Sequence, residues 1–333
     1  MSAGTAGAAM DLLTITDLHK RFGTGAHAVH ANNAVSLNIR AGQIVGLLGH
    51  NGAGKTTLVN QIVGLTRPTS GSIVLDGIDA VAHPAAARRV TSVQAQANVP
   101  ITGLTPQRAI ELVGRIRGAG ARRARIRAAR LIEVLDLGRW ARTPAQKVSG
   151  GIARLTAFAM CAVEPGRLVI LDEPTNDVDP VRRRLLWRQI RVLADDGAAV
   201  LLVTHNVREA ARAVDRLAVL DSGRVIARGA PDELVSSRAH PVVLEVLAHP
   251  GAVLEPPPWL GVDRTEGSRT VFGVPAGRET DAVAWVSRLR EEGAIERYSL
   301  EPTSLEDVYV ELTTHADHHH DHDQDAGNKE EQA

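Results

Sequence analysis

The chain has 333 residues, 44% of them hydrophobic, which is enough to pack a core and to build more than one domain. Its 38 basic side chains are matched by 38 acidic ones, and this zero net charge argues against a nucleic-acid binder that relies on phosphate neutralisation. The single cysteine, Cys161, is expected to be a small core residue, a usage that a reducing cytoplasm allows.

The chain starts with a low-complexity segment of small residues, 1–10, which lacks the basic start and apolar centre of a secretion signal. We expect this segment to be flexible. No stretch of the chain approaches the roughly 20 consecutive apolar residues that a membrane helix needs. We therefore expect a soluble chain, and any work at a membrane would need a partner.

A first domain is predicted over residues 11–237. Apolar runs at 12–18 and 35–39 favour strands, and a third run, 44–48, leads into a glycine-rich loop followed by a helical pattern from near Leu58. The loop consists of Gly49, His50, Asn51, Gly52, Ala53, Gly54, Lys55, Thr56 and Thr57. A strand, this loop and a helix in that order predict a phosphate-binding loop.

The residue types of this loop match the chemistry of a polyphosphate. Glycines let successive N–H groups point inward at the phosphates, and the helix adds its positive N-terminal end. Lys55 can reach the β- and γ-phosphates, and the Thr56 hydroxyl can ligate the Mg²⁺ that neutralises them. A chance glycine-rich turn before a lysine is disfavoured, since strand, loop and helix signals agree. Kinases, GTPases, motors and transporters all share such a loop, so the rest of the chain must decide between them.

After a predicted hairpin turn at Asp76 and Gly77, the pattern becomes helical and rich in arginine over about 97–145. The arginines of this segment include Arg122, Arg123, Arg125, Arg127 and Arg130. A solvated helix face is the favoured interpretation, with a contact to a partner or to anionic lipid as the alternative.

The next apolar run, 168–171, ends in Asp172 and Glu173. It predicts a buried parallel strand whose C-terminal tip carries two carboxylates, at the edge where ligands of open α/β sheets bind. Asp172 would hold Mg²⁺, and Glu173 would orient or deprotonate the attacking water. A solvated acidic pair in a turn is the alternative, which the phosphate-binding loop on the same chain disfavours.

Three further segments complete a pattern: Ser149, Gly150 and Gly151 lie before the acidic pair, Asn176 to Asp179 follow it, and His205 follows the apolar run 199–203. With these motifs in this order, the chain resembles the ATP-binding cassette (ABC) ATPases, the nucleotide-binding subunits of ATP-driven membrane transporters. Ser149 to Gly151 match the family's signature, which closes over the γ-phosphate bound by the other subunit. Ile152 departs from the usual Gln, which puts the efficiency of hydrolysis in doubt.

The resemblance implies four more site residues. His205 should contact the γ-phosphate. Asp179 matches an aspartate that contacts the opposite subunit. Gln96 best matches the glutamine that links Mg²⁺ to the transmembrane partner, with Gln94 as a possible substitute. Phe22 fits the aromatic residue that stacks on adenine, the alternative being an exposed Phe with no role.

Beyond the first domain, residues 241–313 predict a small α+β domain, with strands at 242–247, 270–274 and 295–300 and a helix at about 280–291. Residues 304–309 resemble a segment that closes many drug-resistance and polysaccharide-type exporter ATPases. Thr303 and Glu306 have capping-box spacing for a helix there. The His- and Asp-rich tail, 314–333, is expected to be disordered, with loose metal binding as the less favoured alternative.

The fold class expected from the resemblance is α/β: a P-loop NTPase of the ABC ATPase type, with a mixed sheet core, a helical subdomain and a small C-terminal α+β appendage. The expected function is an ATP-binding and hydrolysing subunit that uses ATP and Mg²⁺. Its expected partners are a separate transmembrane permease and a second ATPase subunit paired head to tail, with no nucleic acid, at the cytoplasmic side of the membrane. A homodimer is favoured and a heterodimer stays open. The appendage favours an exporter; the alternatives are an importer ATPase, a soluble ABC ATPase in translation or DNA maintenance, and a subunit that binds ATP without turning it over.

Overall fold

The computed structural model describes residues 11–25, 28–96, 101–236 and 240–313. The predictions for segments 1–10 and 314–333 lie outside the described residues. Contacts between residues divide the chain into two compact units, with the division between Arg228 and Gly229. This division falls a few residues before Ser237, where the sequence analysis ends the first domain.

The first unit is built on a six-stranded sheet with strand order β10-β9-β3-β8-β7-β6. Its strands are β3 (Ile44–Leu48), β6 (Thr91–Gln94), β7 (Leu168–Asp172), β8 (Ala199–Thr204), β9 (Arg216–Asp221) and β10 (Arg224–Gly229). The pairs β3 with β8, β3 with β9, β6 with β7, and β7 with β8 are all parallel. Every residue of β3 and β8 is buried, as near-continuous apolar runs require of strands covered on both faces.

A second, antiparallel sheet has the order β2-β1-β4-β5. Its strands are β1 (Asp11–Phe22), β2 (Val29–Arg40), β4 (Ser70–Leu75) and β5 (Ile78–Asp79). The predicted hairpin turn is confirmed, since Asp76 and Gly77 join β4 to β5 with φ angles of 49° and 77°. One apolar cluster contains side chains of both sheets, which therefore share a core. The predicted α/β class with a mixed sheet core is confirmed.

The helices of this unit are α1 (Lys55–Ile62), α2 (Pro84–Arg89), α3 (Pro106–Ile116), α4 (Ala121–Val134), α5 (Gly150–Ala162), α6 (Pro180–Asp195) and α7 (Val207–Ala213). The predicted helical segment is interrupted: Gly118, with φ 99°, separates α3 from α4, and two short 3₁₀ turns follow, Gly138–Trp140 and Ala145–Lys147. Cys161 of α5 is buried, and burial raises the pKa of its thiol to about 12, so it is an inert core residue.

The arginines of α4 divide into two groups. Arg123 and Arg127 pair with Glu164 at N–O distances of 2.9 and 2.6 Å, whereas Arg122, Arg125 and Arg130 are exposed. None of the helices in the described ranges is both long and apolar enough to cross a bilayer.

The second unit holds a four-stranded antiparallel sheet in the order β12-β13-β11-β14. Its elements are α8 (Pro231–Ser236), β11 (Val242–Ala248), β12 (Gly261–Glu266), β13 (Arg269–Val274), α9 (Glu279–Glu291) and β14 (Ile295–Pro302), and residues 305–313 are helical. Strand β12 is not predicted from the sequence, because this edge strand is largely exposed and its residues do not alternate between apolar and polar.

The predicted capping box at Thr303 and Glu306 is wrong by one residue. Ser304 Oγ accepts from Asp307 N, and the Asp307 carboxylate accepts from Ser304 N, so these two residues form the box. Thr303 Oγ1 instead donates to the carbonyl of His240, 2.6 Å away. Thr303 with Glu306 and Ser304 with Asp307 both place a hydroxyl three residues before a carboxylate. The contact of Thr303 with His240 decides which pair forms the box.

Candidate functional site

The phosphate-binding loop connects β3 to α1. Gly54 lies just before the helix with φ 104°, in the left-handed region. A Cβ atom at this position would lie 2.2 Å from the carbonyl oxygen of Ala31, so no side chain fits there. The loop therefore has the curled backbone that brings N–H groups toward a bound anion, at the N-terminus of a helix.

Lys55 is the first residue of α1, and its ammonium donates to two loop carbonyls, those of Gly49 at 2.6 Å and His50 at 2.8 Å. Burial lowers the pKa of Lys55, while the nearby carboxylates of Glu173 and Asp172 act in the opposite direction. A phosphate would stabilise the ammonium and replace the carbonyls as its partner. The side chain is therefore already held at the loop that would receive the phosphates.

Two buried amides brace the loop from the antiparallel sheet and from α1. Asn32 is fully buried, and its Nδ2 donates to the Gly54 carbonyl at 3.3 Å. The Asn32 side chain is fixed in turn by Gln61, whose Nε2 donates to Asn32 Oδ1 at 2.6 Å. These contacts hold the start of α1 against β2.

His50 anchors the other side of the loop. Its Nε2 lies 2.9 Å from the carboxylate of Asp221, the buried last residue of β9, and its Nδ1 lies 2.7 Å from the Asn51 carbonyl. These two contacts hold the ring beside the phosphate-binding loop.

The carboxylate pair lies at the end of β7. Burial raises the pKa of Asp172 and the neighbouring Glu173 raises it further, while Lys55 and Arg154 act in the opposite direction. A bound divalent cation would favour the ionised carboxylate that burial disfavours. A metal ion beside Asp172 would therefore stabilise its ionised carboxylate.

Glu173 is buried and lies in the left-handed region with φ 48°, a strained conformation for this residue type. Its carboxylate accepts from Thr204 Oγ1 at 3.0 Å, from the backbone N–H of His205 at 2.9 Å and from His205 Nδ1 at 2.6 Å. Because β7 and β8 are parallel neighbours, their ends bring this acid and this histidine together. The His205 ring itself is largely exposed.

The two glutamines near the end of β6 have different environments. Gln96 lines a cavity of about 440 Å³ together with Thr56 and Asp172. Gln94 is buried instead, and its Nε2 donates to the Arg154 carbonyl of α5 at 3.4 Å. Gln96 is thus the one that shares a cavity with the predicted metal-binding side chains.

Ser149 is the N-cap of α5, and its Oγ accepts from the Ile152 N–H. A Cβ atom at Gly151 would lie 2.3 Å from the carbonyl oxygen of Asp177, so the start of α5 packs directly against the loop after β7. The side chain of Ile152 is only 4% exposed and belongs to the core. The departure from the family's Gln is therefore a buried apolar contact.

Asp179, at the end of that loop, is the N-cap of α6. Its carboxylate accepts from the N–H groups of Val181 and Arg182, and the hydrogen bond from the Arg182 backbone is the main reason why its pKa is lowered. Phe22 ends β1 with 46% of its surface exposed, and Lys20 Nζ lies 4.8 Å from its ring centroid. The Phe22 ring is thus exposed with Lys20 over it, whereas Asp179 has a structural role in this subunit.

Four residues that support the site were missed by sequence reasoning: Asn32, Gln61, Asp221 and Thr204. For Thr204, what was missed is the contact of its hydroxyl with Glu173. The Thr204 hydroxyl beside His205 at a strand end was a usable signal. The other three lie far along the chain from their partners, and no local pattern marks them.

Comparison with known proteins identifies the class. The model of the ABC transporter family matches residues 32–176. The chain is 34% identical over 306 residues to the daunorubicin resistance ATP-binding protein DrrA3 of Streptomyces coeruleorubidus, covering 90% of this chain and 95% of that protein. The chain thus belongs to the ABC transporter family, and it is an ABC ATPase.

A second named relative and two solved structures are also similar to the chain. The chain is 33% identical to the Nod factor export ATP-binding protein I of Ralstonia nicotianae, over 91% of this chain and 94% of that protein. Among solved structures, an ATP binding subunit of an ABC transporter superposes with a TM-score of 0.62 at 27% identity, covering 68% of this chain and 92% of that one. A dimeric cassette in a post-hydrolysis state with ADP and phosphate gives 0.60 at 25% identity, covering 66% and 98%. The chain is thus similar, over nine-tenths of its length, to ATP-binding proteins named for drug resistance and for Nod factor export.

Proposed function

We propose that this ATPase powers export through a separate membrane permease. Two relatives that match nine-tenths of the chain carry drug resistance or Nod factor export in their names. A polypeptide whose described helices cannot cross a bilayer needs a membrane partner to move a substrate. We place the protein peripherally at the cytoplasmic side of the membrane, held there by the permease.

The observation that carries the hydrolytic part of the proposal is the contact between Glu173 and His205 at the sheet edge. Glu173 is the group that would orient or deprotonate water. In the structure its carboxylate accepts three hydrogen bonds, from the buried Thr204 hydroxyl, from the His205 backbone and from the His205 ring. The ring is the exposed donor of the three, and its rotation would release one of these bonds. His205 turning toward a γ-phosphate would free a carboxylate lone pair for the water.

The phosphates would be held by the N–H groups of residues 49–57 and by Lys55. Mg²⁺, when bound, neutralises phosphate charge and polarises the bond to the γ-phosphate. The residues that would hold the ion are Thr56, Asp172 and Gln96, which line one cavity. Hydroxyl, carboxylate and amide oxygens fit the ligand preference of Mg²⁺. Phe22 would stack on the adenine.

The complete site needs a second subunit. Ser149, Gly150 and Gly151 would close over the γ-phosphate bound by the partner, and Asp179 would contact the partner across the interface. One chain carries every element, so a homodimer with two equal sites suffices. ATP-driven closure would move the permease through the Gln96 region, and hydrolysis would reset it.

The test is Mg²⁺-dependent ATP hydrolysis by the wild type and by Glu173→Gln, with the particle mass measured with and without ATP. We expect the variant to bind ATP, to lose turnover and to form an ATP-dependent dimer. Retained turnover would show that another base carries the chemistry. A parallel affinity purification of Glu173→Gln from detergent-solubilised membranes with ATP should recover a polytopic membrane protein, and recovery of ribosomes instead would contradict the transport function.

A further inference from the structure

A second concave site lies between α6 and α7. The groove has a volume of about 700 Å³, within the range of small-molecule sites. Six arginines line it: Arg183, Arg184, Arg188, Arg191, Arg208 and Arg212. We call it the arginine groove. The phosphate-binding loop, β7 and Gln96 contribute nothing to its lining, so it is separate from the ATP site.

The groove follows from the sequence pattern of α6. The four arginines of α6 that line the groove recur, together with Trp187, at spacings of three and four residues, which places them on one helix face. On α7, Arg208 and Arg212 are four residues apart and line the same groove. Two basic stripes therefore face a common space.

The acidic partners in the described part of the groove do not balance this charge. Glu209 pairs with Arg183 at 2.7 Å, and Asp215, beside the groove, pairs with Arg191 at 2.9 Å. In the described residues Arg184, Arg188 and Arg212 form no ion pair. The groove therefore has a strong excess of positive charge in a chain whose net charge is zero.

This arrangement is unfavourable for stability unless an anion binds. Arg184 and Arg188 are like charges four residues apart on one helix, and they repel each other. Proteins retain such unfavourable clusters where they serve a function, and a concave cluster of one sign concentrates ions of the opposite sign.

We propose that the arginine groove binds a small organic polyphosphate, a soluble molecule with two or more phosphate groups and a planar or apolar body. Guanidinium groups bind phosphate oxygens through two parallel hydrogen bonds, a geometry that favours phosphate ligands. The indole of Trp187, which lines the groove and is half-buried, offers a face for a planar body. The concave shape fits a discrete molecule better than a flat membrane surface.

The test uses the full-length chain with Lys55→Ala, so that the phosphate-binding loop does not contribute, and inorganic tripolyphosphate without Mg²⁺ as the probe. Calorimetric titration should give saturable binding. Adding Arg184→Gln and Arg212→Gln should weaken it about a hundredfold, roughly tenfold per lost charge-assisted contact. The matched control is Arg122→Gln with Arg125→Gln, two exposed arginines of α4, which should leave the affinity unchanged. Equal affinity for the groove variant and the control would overturn the proposal.

Two further readouts separate the groove from a merely basic surface. Without any anion, Arg188→Gln should raise the thermal midpoint, because it removes a repulsive charge, and a lowered midpoint would contradict the repulsion argument. Trp187→Ala should weaken ATP binding in the Lys55→Ala background about tenfold while changing tripolyphosphate binding little. An equal loss for both ligands would overturn the assignment of Trp187 to the planar body.

Vesicles of phosphatidylglycerol and phosphatidylcholine distinguish the two sources of phosphate. The proposal predicts no sedimentation with vesicles that depends on Arg184 and Arg212. Groove-dependent binding to vesicles, without binding to tripolyphosphate, would overturn the soluble ligand and assign the groove to lipid headgroups.

Discussion

The two units bury different kinds of residue. In the first unit, the parallel strands end at one edge, where the buried Glu173 accepts from Thr204. The buried amides of Asn32, on β2, and Gln61, on α1, are hydrogen-bonded to each other and to the loop at Gly54. In the second unit, the antiparallel sheet packs against α9 through an apolar cluster that includes Phe272 and Trp285. Catalytic chemistry requires buried polar groups at a strand edge, which the first unit provides, whereas the second unit is organised for packing.

The largest effect is expected from breaking the second core. Phe272 is 1% exposed, and its ring meets Trp285 edge to face with centroids 5.3 Å apart. Phe272→Ala should cost about 3–5 kcal/mol of the unfolding free energy of this unit. Denaturant titration followed by fluorescence will measure it, with the exposed Val253→Ala as control. ATP affinity should stay unchanged, and its loss would show that the two units are not independent.

The next effect concerns the ATP edge. Lys55→Ala should weaken ATP binding by at least about a hundredfold, because two or more charge-assisted contacts to phosphate are lost. Titration with a fluorescent ATP analogue measures this in a background of Arg184→Gln and Arg212→Gln, which removes binding at the arginine groove, and circular dichroism checks that the fold is intact. The exposed Arg122→Ala serves as the matched control for removing one cation. ATP binding by Lys55→Ala at wild-type strength would mean that the loop does not hold the phosphates.

A smaller effect is expected at the signature helix. Ile152 is buried, so Ile152→Gln should lower the unfolding free energy of the isolated subunit by about 1–3 kcal/mol, since an amide without a partner enters the core. Ile152→Leu, of equal volume, is the control. If Ile152→Gln instead raises ATP turnover without loss of stability, the side chain reaches the partner subunit's nucleotide and is not part of the core.

The smallest effect is a pH dependence. The pKa of Asp172 is raised by burial, so the folded state without metal holds a proton more tightly than the unfolded chain. This contribution should make the metal-free protein more stable as the pH falls through that raised pKa toward the ordinary pKa of an aspartate. Mg²⁺ binds the ionised form, so its affinity should fall over the same range. Unfolding curves of Asp172→Asn against pH should lack the stability gain, and an unchanged profile would contradict it.

Much of the fold could be predicted from local pattern. The apolar runs that end at Leu48, Leu171 and Val203 are buried strands with side chains protected on both faces, and such runs are visible in a sequence. The Asp76–Gly77 turn was readable because Asp-Gly pairs favour the positive φ angles that such a hairpin turn requires. Strand β12 was missed because an edge strand needs no apolar face, and the capping box shifted by one residue because a contact with His240 fixes Thr303.

For the site, the sequence located side chains that belong to motifs and missed those that support them. Lys55 begins the helix after a recognisable loop, and Asp172 and His205 stand at strand ends. Asp221 and Asn32 are defined only by partners far along the chain, and only the three-dimensional structure brings them together. The roles assigned to Gln96, Phe22 and Asp179 stay predictions.

The central claim is that each ATP site combines the phosphate-binding loop of one subunit with Ser149 to Gly151 of the other. Two variants test it: Lys55→Ala, and Gly150→Asp, whose Cβ would be in ordinary contact with Asp177 and whose carboxylate places a negative charge at the signature. Each variant alone should be inactive. In a mixture, half of the pairs should contain one intact composite site, so single-turnover ATP hydrolysis should reappear at about a quarter of the wild-type amount. A mixture as inactive as each variant alone would contradict the head-to-tail arrangement.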